Sequence, residues 1–141
     1  MRIHKHPIAV AVICYSKGAL LTVKRQEDPW KDFQQLPEGY LRKGESDENC
    51  ALRILKEASG LTGTRMKLIG IHTALDRIPN TRVFILSYLA MQWTGEVPLE
   101  GVRWLSDWRG EPLAFEHSAM VLEADSVLET AIMSRQLYAI K

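Results

Sequence analysis

Residues Leu36 to Leu61, LPEGYLRKGESDENCALRILKEASGL, decide how the rest of the chain is read. Pro37 fixes its own backbone angle and Gly39 supplies conformations that other residues resist, so the segment around them reads as a loop and not as a strand. Past Gly44, Ser46 suits an N-cap, and Asp47 and Glu48 place negative charge in a first turn where the helix dipole favours it. Gly60 sits where a left-handed C-cap belongs. The spacing predicts a helix of about three to four turns from Asp47 to Ser59. Cys50, Ala51, Ile54, Leu55, Ala58 and Leu61 form a broad apolar arc on it. Periodicity alone therefore gives an amphipathic core helix carrying Arg53 and Glu57 as a solvated i, i+4 pair.

The same stretch resembles the Nudix box, G-x5-E-x7-R-E-U-x-E-E-x-G-U, where U is a bulky aliphatic. Gly39, Glu45, Arg53, Leu55, Glu57, Gly60 and Leu61 fall on that pattern in register. Two positions depart from it: Ile54 stands where the family has the Glu after Arg, and Ala58 where it has the second Glu of the pair. Carboxylates matter there because magnesium takes close to six oxygen ligands while keeping several waters, so a few acids on one helix face can hold it against a diphosphate. The resemblance thus implies an Mg (or Mn) site that includes Glu57 and Glu45, with Arg53 orienting them and Glu57 and Arg53 as the catalytic pair. Glu38, where the family normally has Gly, offers its carbonyl and its carboxylate as further metal-binding groups. Against this, the helix row Cys50, Ile54, Ala58 is apolar throughout, and two of the expected carboxylates are missing.

Working outward, Ile8–Tyr15 and Ala19–Lys24 are apolar runs separated by Ser16, Lys17 and Gly18, which is a hairpin signal. Trp30 and Phe33 follow in a polar setting, in a loop that the family places near its substrate. Trp30 either stacks on a base or covers an edge of the core. Beyond the helix, Met66–Ala74 and Val83–Met91 read as strands, with Asp76, Arg77, Ile78, Pro79 and Asn80 forming a turn by composition. The sequence Leu75 to Asn80 is similar to the ADP-ribose pyrophosphatase-like branch of the family, which often has Arg-Asp-Pro-Arg at this turn, although Ile78 and Asn80 depart from it. On that resemblance Arg77, Trp30 and Gly39 are expected to bind substrate. Val102–Leu105 reads as a short strand, and about Glu116 to Met133 as a helix carrying Val121, Ala124, Leu128, Ala131 and Ile132 at helical spacing. His117 at its start reads as a capping or packing residue, and Glu96 and Glu100 as solvated loop acids.

A chain of 141 residues suits one domain, 1–141, and two helices against strands give an α+β class. As the resemblance implies it, the fold is a Nudix-type α/β/α sandwich with a mixed β-sheet. Eighteen Lys and Arg balance 17 Asp and Glu, so no global field draws the protein to nucleic acid or to an anionic membrane. Cys14 and Cys50 are too few for a disulfide framework and read as buried thiols of a cytoplasmic protein. The expected partner is a nucleotide-type small molecule of the ADP-ribose class, with homodimerisation as the family's common habit. Losing one well-placed electrostatic stabiliser commonly costs about 3 kcal/mol of barrier, and two losses cost more without adding simply. The expectation is a ligand-binding Nudix domain with weak or lost metal-dependent pyrophosphate hydrolysis; the alternative is an active Mg-dependent hydrolase using other carboxylates.

Overall fold

The first apolar run becomes a central strand buried on both faces, and this arranges the layers. The computed structural model describes residues 6–97 and 100–139, with 130–139 described by backbone course alone. Strand β1 (Ile8–Ile13) sends Ala9, Ala11 and Ile13 into one core and Val10 and Val12 into another. Such two-sided burial is what a continuous apolar strand, without polar alternation, requires.

On one side β1 pairs antiparallel with β5 (Glu38–Tyr40), and on the other it runs parallel to β7 (Thr81–Thr94), which pairs antiparallel with the edge strand β6 (Thr62–Ile78). A second sheet gathers around β3 (Ala19–Lys24), which pairs antiparallel with β2 (Tyr15–Ser16), β4 (Gln34–Gln35) and β8 (Val102–Leu105). Helix α1 (Asp47–Ser59) covers the core of Val10 and Val12 with Cys50, Ala51, Ile54 and Leu55. Helix α2 (His117–Ala139) covers the other with Met120, Val121 and Ala124. The result is an α+β, α/β/α arrangement around a mixed sheet, as expected. The side chains of Ala131 and Ile132 lie outside the described residues. Among the described residues no helix is long and apolar enough to cross a membrane.

The capping chemistry of α1 is as its sequence predicts. Ser46 Oγ accepts from the Asn49 N–H at 3.1 Å, and Gly60 adopts φ 80 with its N–H bonded to the Lys56 carbonyl. The hydroxyl of Tyr88 donates to Asp47 and ties the helix start to β7.

Three local expectations are corrected. Glu38–Tyr40 is a strand and not a loop: Val10 faces Gly39 and Ala11 faces Glu38, and the Val12 N–H donates to the Pro37 carbonyl at 2.9 Å. The buried backbone of β1 needs partners on both edges, and this need overrides the turn propensity of Pro and Gly. Asp76, Arg77 and Ile78 belong to β6, leaving Pro79 and Asn80 as the hairpin turn, with Asn80 at φ 56. The run Ile8–Tyr15 is split, since β1 ends at Ile13 and Tyr15–Ser16 join the second sheet, pairing with Leu20 and Ala19 across Lys17 and Gly18.

Gly39 and Ile54 meet at the point where β5 crosses α1. A Cβ built on Gly39 would lie 3.2 Å from Ile54 Cγ1 and Cδ1, and Ile54 is only 4% exposed. Truncating a well-packed side chain of this kind loses both its burial and its contacts. Ile54→Ala is therefore expected to lower the urea unfolding free energy by about 2–5 kcal/mol; a loss under about 0.5 kcal/mol, typical of a surface position, would contradict its place in the core.

Candidate functional site

The box residues gather around Arg53. Its Nε donates to Glu45 Oε2 at 2.7 Å and its Nη2 to Glu45 Oε1 at 3.0 Å, a bidentate pair. Nη2 also reaches the Tyr40 carbonyl at 2.9 Å, and Nη1 reaches Glu57 Oε2 at 3.2 Å. Arg53 thus clamps the end of β5, the turn at Glu45 and the helix into one unit. Glu57 is the outermost member, 54% exposed, with Arg42 3.5 Å from its other oxygen. On the adjacent row, Cys50 and Ile54 are buried and Ala58 is half-buried.

A second node, more deeply buried, forms on the other side of Gly39. Arg77 has a side chain only 4% exposed, and carboxylates accept from all five of its N–H groups. Nε and Nη2 hold Glu38 at 3.0 and 3.1 Å, Nη2 and Nη1 hold Glu116 at 2.6 and 3.1 Å, and Nη1 also reaches Asp76 at 3.0 Å. The guanidinium lies 3.6 Å from the Phe115 ring centroid, and Arg25 approaches the same ring at 4.7 Å. His117, fully buried, closes the node. The Leu36 N–H donates to its Nδ1 at 3.0 Å, so the ring proton sits on Nε2, which donates to Glu38 Oε1 at 3.0 Å. Trp30 stands beside this node on the solvent side, 6.2 Å from the Phe115 ring and edge-to-face with Phe33 at 5.0 Å. Trp30, Asp32 and Phe115 all hold left-handed φ angles of 67, 72 and 54.

The family model described as NUDIX domain matches residues 4–124. The chain belongs to the NUDIX family. An ADP-ribose pyrophosphatase of Methanocaldococcus jannaschii is 31% identical over 97 residues, 68% of this chain and 57% of that protein, so the chain spans a little over half of its relative's length. The NUDIX domain of Shewanella oneidensis NrtR, crystallised with ADP ribose, has a TM-score of 0.71 at 21% identity, with 89% of this chain and 90% of that one aligned. A MutT NUDIX hydrolase from Burkholderia pseudomallei gives 0.72 at 20% identity, over 86% and 98% of the two chains. At these identities the solved structures establish the NUDIX fold.

The expected site residues therefore divide into two groups. Glu45, Arg53 and Glu57 come together, whereas Glu38 faces Arg77 and His117. Arg77, expected to bind substrate, and Glu38, expected to bind metal, are each other's partners in this structure, because a buried carboxylate and a buried guanidinium need opposite charge within hydrogen-bond reach. Every N–H of Arg77 is already committed. Both oxygens of Glu45 accept from Arg53, those of Glu38 accept from Arg77 and His117, and Glu57 is the most exposed of the three acids. Among the described residues no group of three or more His, Cys, Asp or Glu side chains is placed to hold a metal ion. Glu116, Phe115 and Arg25 were not singled out as site residues by the sequence, nor was the meeting of Glu38 and Arg77 at His117. The only local hint was His117 at a helix start. Glu96 and Glu100 are exposed, in keeping with solvated loop acids.

The two nodes set the acidic behaviour of the domain. Burial alone pushes the Glu38 carboxyl up, but the hydrogen bond from His117 and the hydrogen bonds and charge of Arg77 outweigh it and bring it down from 4.5 to about 2. Hydrogen bonds from Arg53 hold Glu45 down to about 2 as well. A depressed carboxyl stabilises the fold above its unfolded value of 4.5, and that contribution is lost as pH falls toward about 2. For Glu38 this amounts to about 3 kcal/mol. Urea unfolding free energies measured between pH 7 and pH 2 should therefore fall less steeply for Glu38→Gln, itself destabilised at pH 7, than for the parent. Parallel profiles would contradict the role given to Glu38.

Proposed function

We propose that this NUDIX domain binds a nucleoside-diphosphate-type ligand of the ADP-ribose class and that its metal-dependent pyrophosphate hydrolysis is weak or lost. The observation that carries the reading is the packing of Ile54 onto Gly39. Where the box resemblance expects a metal-binding carboxylate, a buried aliphatic group joins the core instead. The ligand class draws support from the relative named as an ADP-ribose pyrophosphatase and from the structural neighbour crystallised with ADP ribose. In this reading Gly39 borders the diphosphate and the exposed Trp30 offers a ring face to the base. Arg53 and Arg77 act by holding β5 and α1 in place. The free, buried thiols of Cys14 and Cys50 support a cytoplasmic setting.

Thermal unfolding with ADP-ribose, in the presence and absence of EDTA, separates binding from metal use, because stabilisation follows occupancy of the native state. The melting temperature should rise with ADP-ribose to the same extent in both conditions. Turnover with Mg or Mn should stay below the ordinary enzyme range of about 1–10³ per second. A shift abolished by EDTA, or turnover within that range, would favour the active hydrolase.

A further inference from the structure

Away from α1, a cleft of about 460 Å³ opens between the end of β3, the 31–34 segment and residues 111–112. That volume lies within the roughly 300–1,000 Å³ of small-molecule sites. Lys24, Lys31 and Arg103 line it, opposed by Asp32 and Glu111. Lys24 meets Asp32 at 3.8 Å and Arg103 meets Glu111 at 3.2 Å, whereas Lys31 makes no ion pair among the described residues. One positive charge is left over, and the two existing pairs are solvent-screened and weak enough to rearrange around an anion.

The floor adds a neutral donor. Gln34 is only 8% exposed and lines the same cleft. The Thr22 hydroxyl donates to Gln34 Oε1 at 2.8 Å, which fixes the amide and leaves its NH2 group without a protein acceptor. Among the described residues no buried side-chain nitrogen or oxygen lacks a partner, so this NH2 group touches solvent, and Gln34 lines both this cleft and a smaller one beside Gly101. Phe33, 37% exposed, supplies an aromatic surface on the same wall.

We propose that this cleft binds a nucleoside monophosphate, its phosphate held by Lys31, Arg103 and the Gln34 amide and its base lying against Phe33. A phosphomonoester presents several strong acceptor oxygens that match a forked guanidinium, a mobile ammonium and an amide donor together. A flat ring gains from an exposed aromatic side chain in a sequence-tolerant way. No residue of α1 lines the cleft, so its occupancy is independent of the diphosphate reading of the box.

Isothermal titration of the full chain with AMP, adenosine and inorganic phosphate tests it. AMP should bind saturably and more tightly than either fragment. Lys31→Glu and Arg103→Ala should each weaken AMP about tenfold or more, the scale of a lost charged hydrogen bond. Lys17→Glu, a charge reversal at an exposed position outside the cleft, should leave the isotherm unchanged. Phe33→Ala should weaken AMP and spare phosphate. All four positions are exposed at least in part, and unchanged melting temperatures would show that the variants fold. The proposal is overturned if AMP gives no saturable isotherm or if AMP binding is indifferent to both cleft substitutions. It is also overturned if phosphate binds as tightly as AMP with no effect of Phe33→Ala, the mark of an adventitious ion only.

Discussion

Gly39 carries no side chain, and Ile54 fills the space this leaves. The contact joins the shortest strand of the mixed sheet to the helix that comes after it, and the apolar row Cys50, Ile54 faces inward because of it. A helix has only so many faces. Once this row is committed to the core, the polar face retains Arg53 and Glu57, and Arg53 finds its acceptors in Glu45, Glu57 and the Tyr40 carbonyl. On the proposed reading this is the row where the box's usual carboxylates would meet a metal; here Cys50 and Ile54 are buried in the core.

The node around Arg77 obeys different physics. Taking a guanidinium and a carboxylate out of water is costly unless geometry and additional hydrogen bonds make up for it, and removing one partner strands the other. The structure meets that demand fully: no N–H of Arg77 is idle, and His117 supplies Glu38 with a further donor while accepting from the Leu36 backbone. Glu38, next to Gly39, is thereby tied to β6 and to the start of α2. The segment that borders the proposed ligand groove is braced on one side by Arg53 and on the other by Arg77, a pre-organised scaffold that does not depend on a bound ion.

Much of this was legible in the sequence wherever the determinants are local. Ser46, the acids of the first turn and Gly60 bound α1 to the residue because capping is chemistry between near neighbours, and the apolar arc through Ile54 already placed that position in the core. The continuous apolar run at Ile8 announced a buried strand. Elsewhere distance in sequence hid the answer. Glu38 and Arg77 lie 39 positions apart and Glu38 and His117 lie 79 apart, so no periodicity or spacing could pair them. Pro37 and Gly39 advertised a loop, yet the demand of β1 for a partner on that edge made a strand of Glu38–Tyr40. Asp76 and Asn80 suggested one five-residue turn, yet Arg77 is held extended by its carboxylates and the chain reverses only at Pro79 and Asn80.

On the proposed reading, arginine and the hydrophobic core between them occupy the face that would recruit divalent ions. Titration of the full chain with Mn²⁺, monitored by the electron paramagnetic resonance signal of the free ion, addresses it directly. The free signal should grow in proportion to the metal added, with no saturable side-chain site. Saturable disappearance of one or more ions per chain, reversed by Glu57→Gln, would overturn this reading.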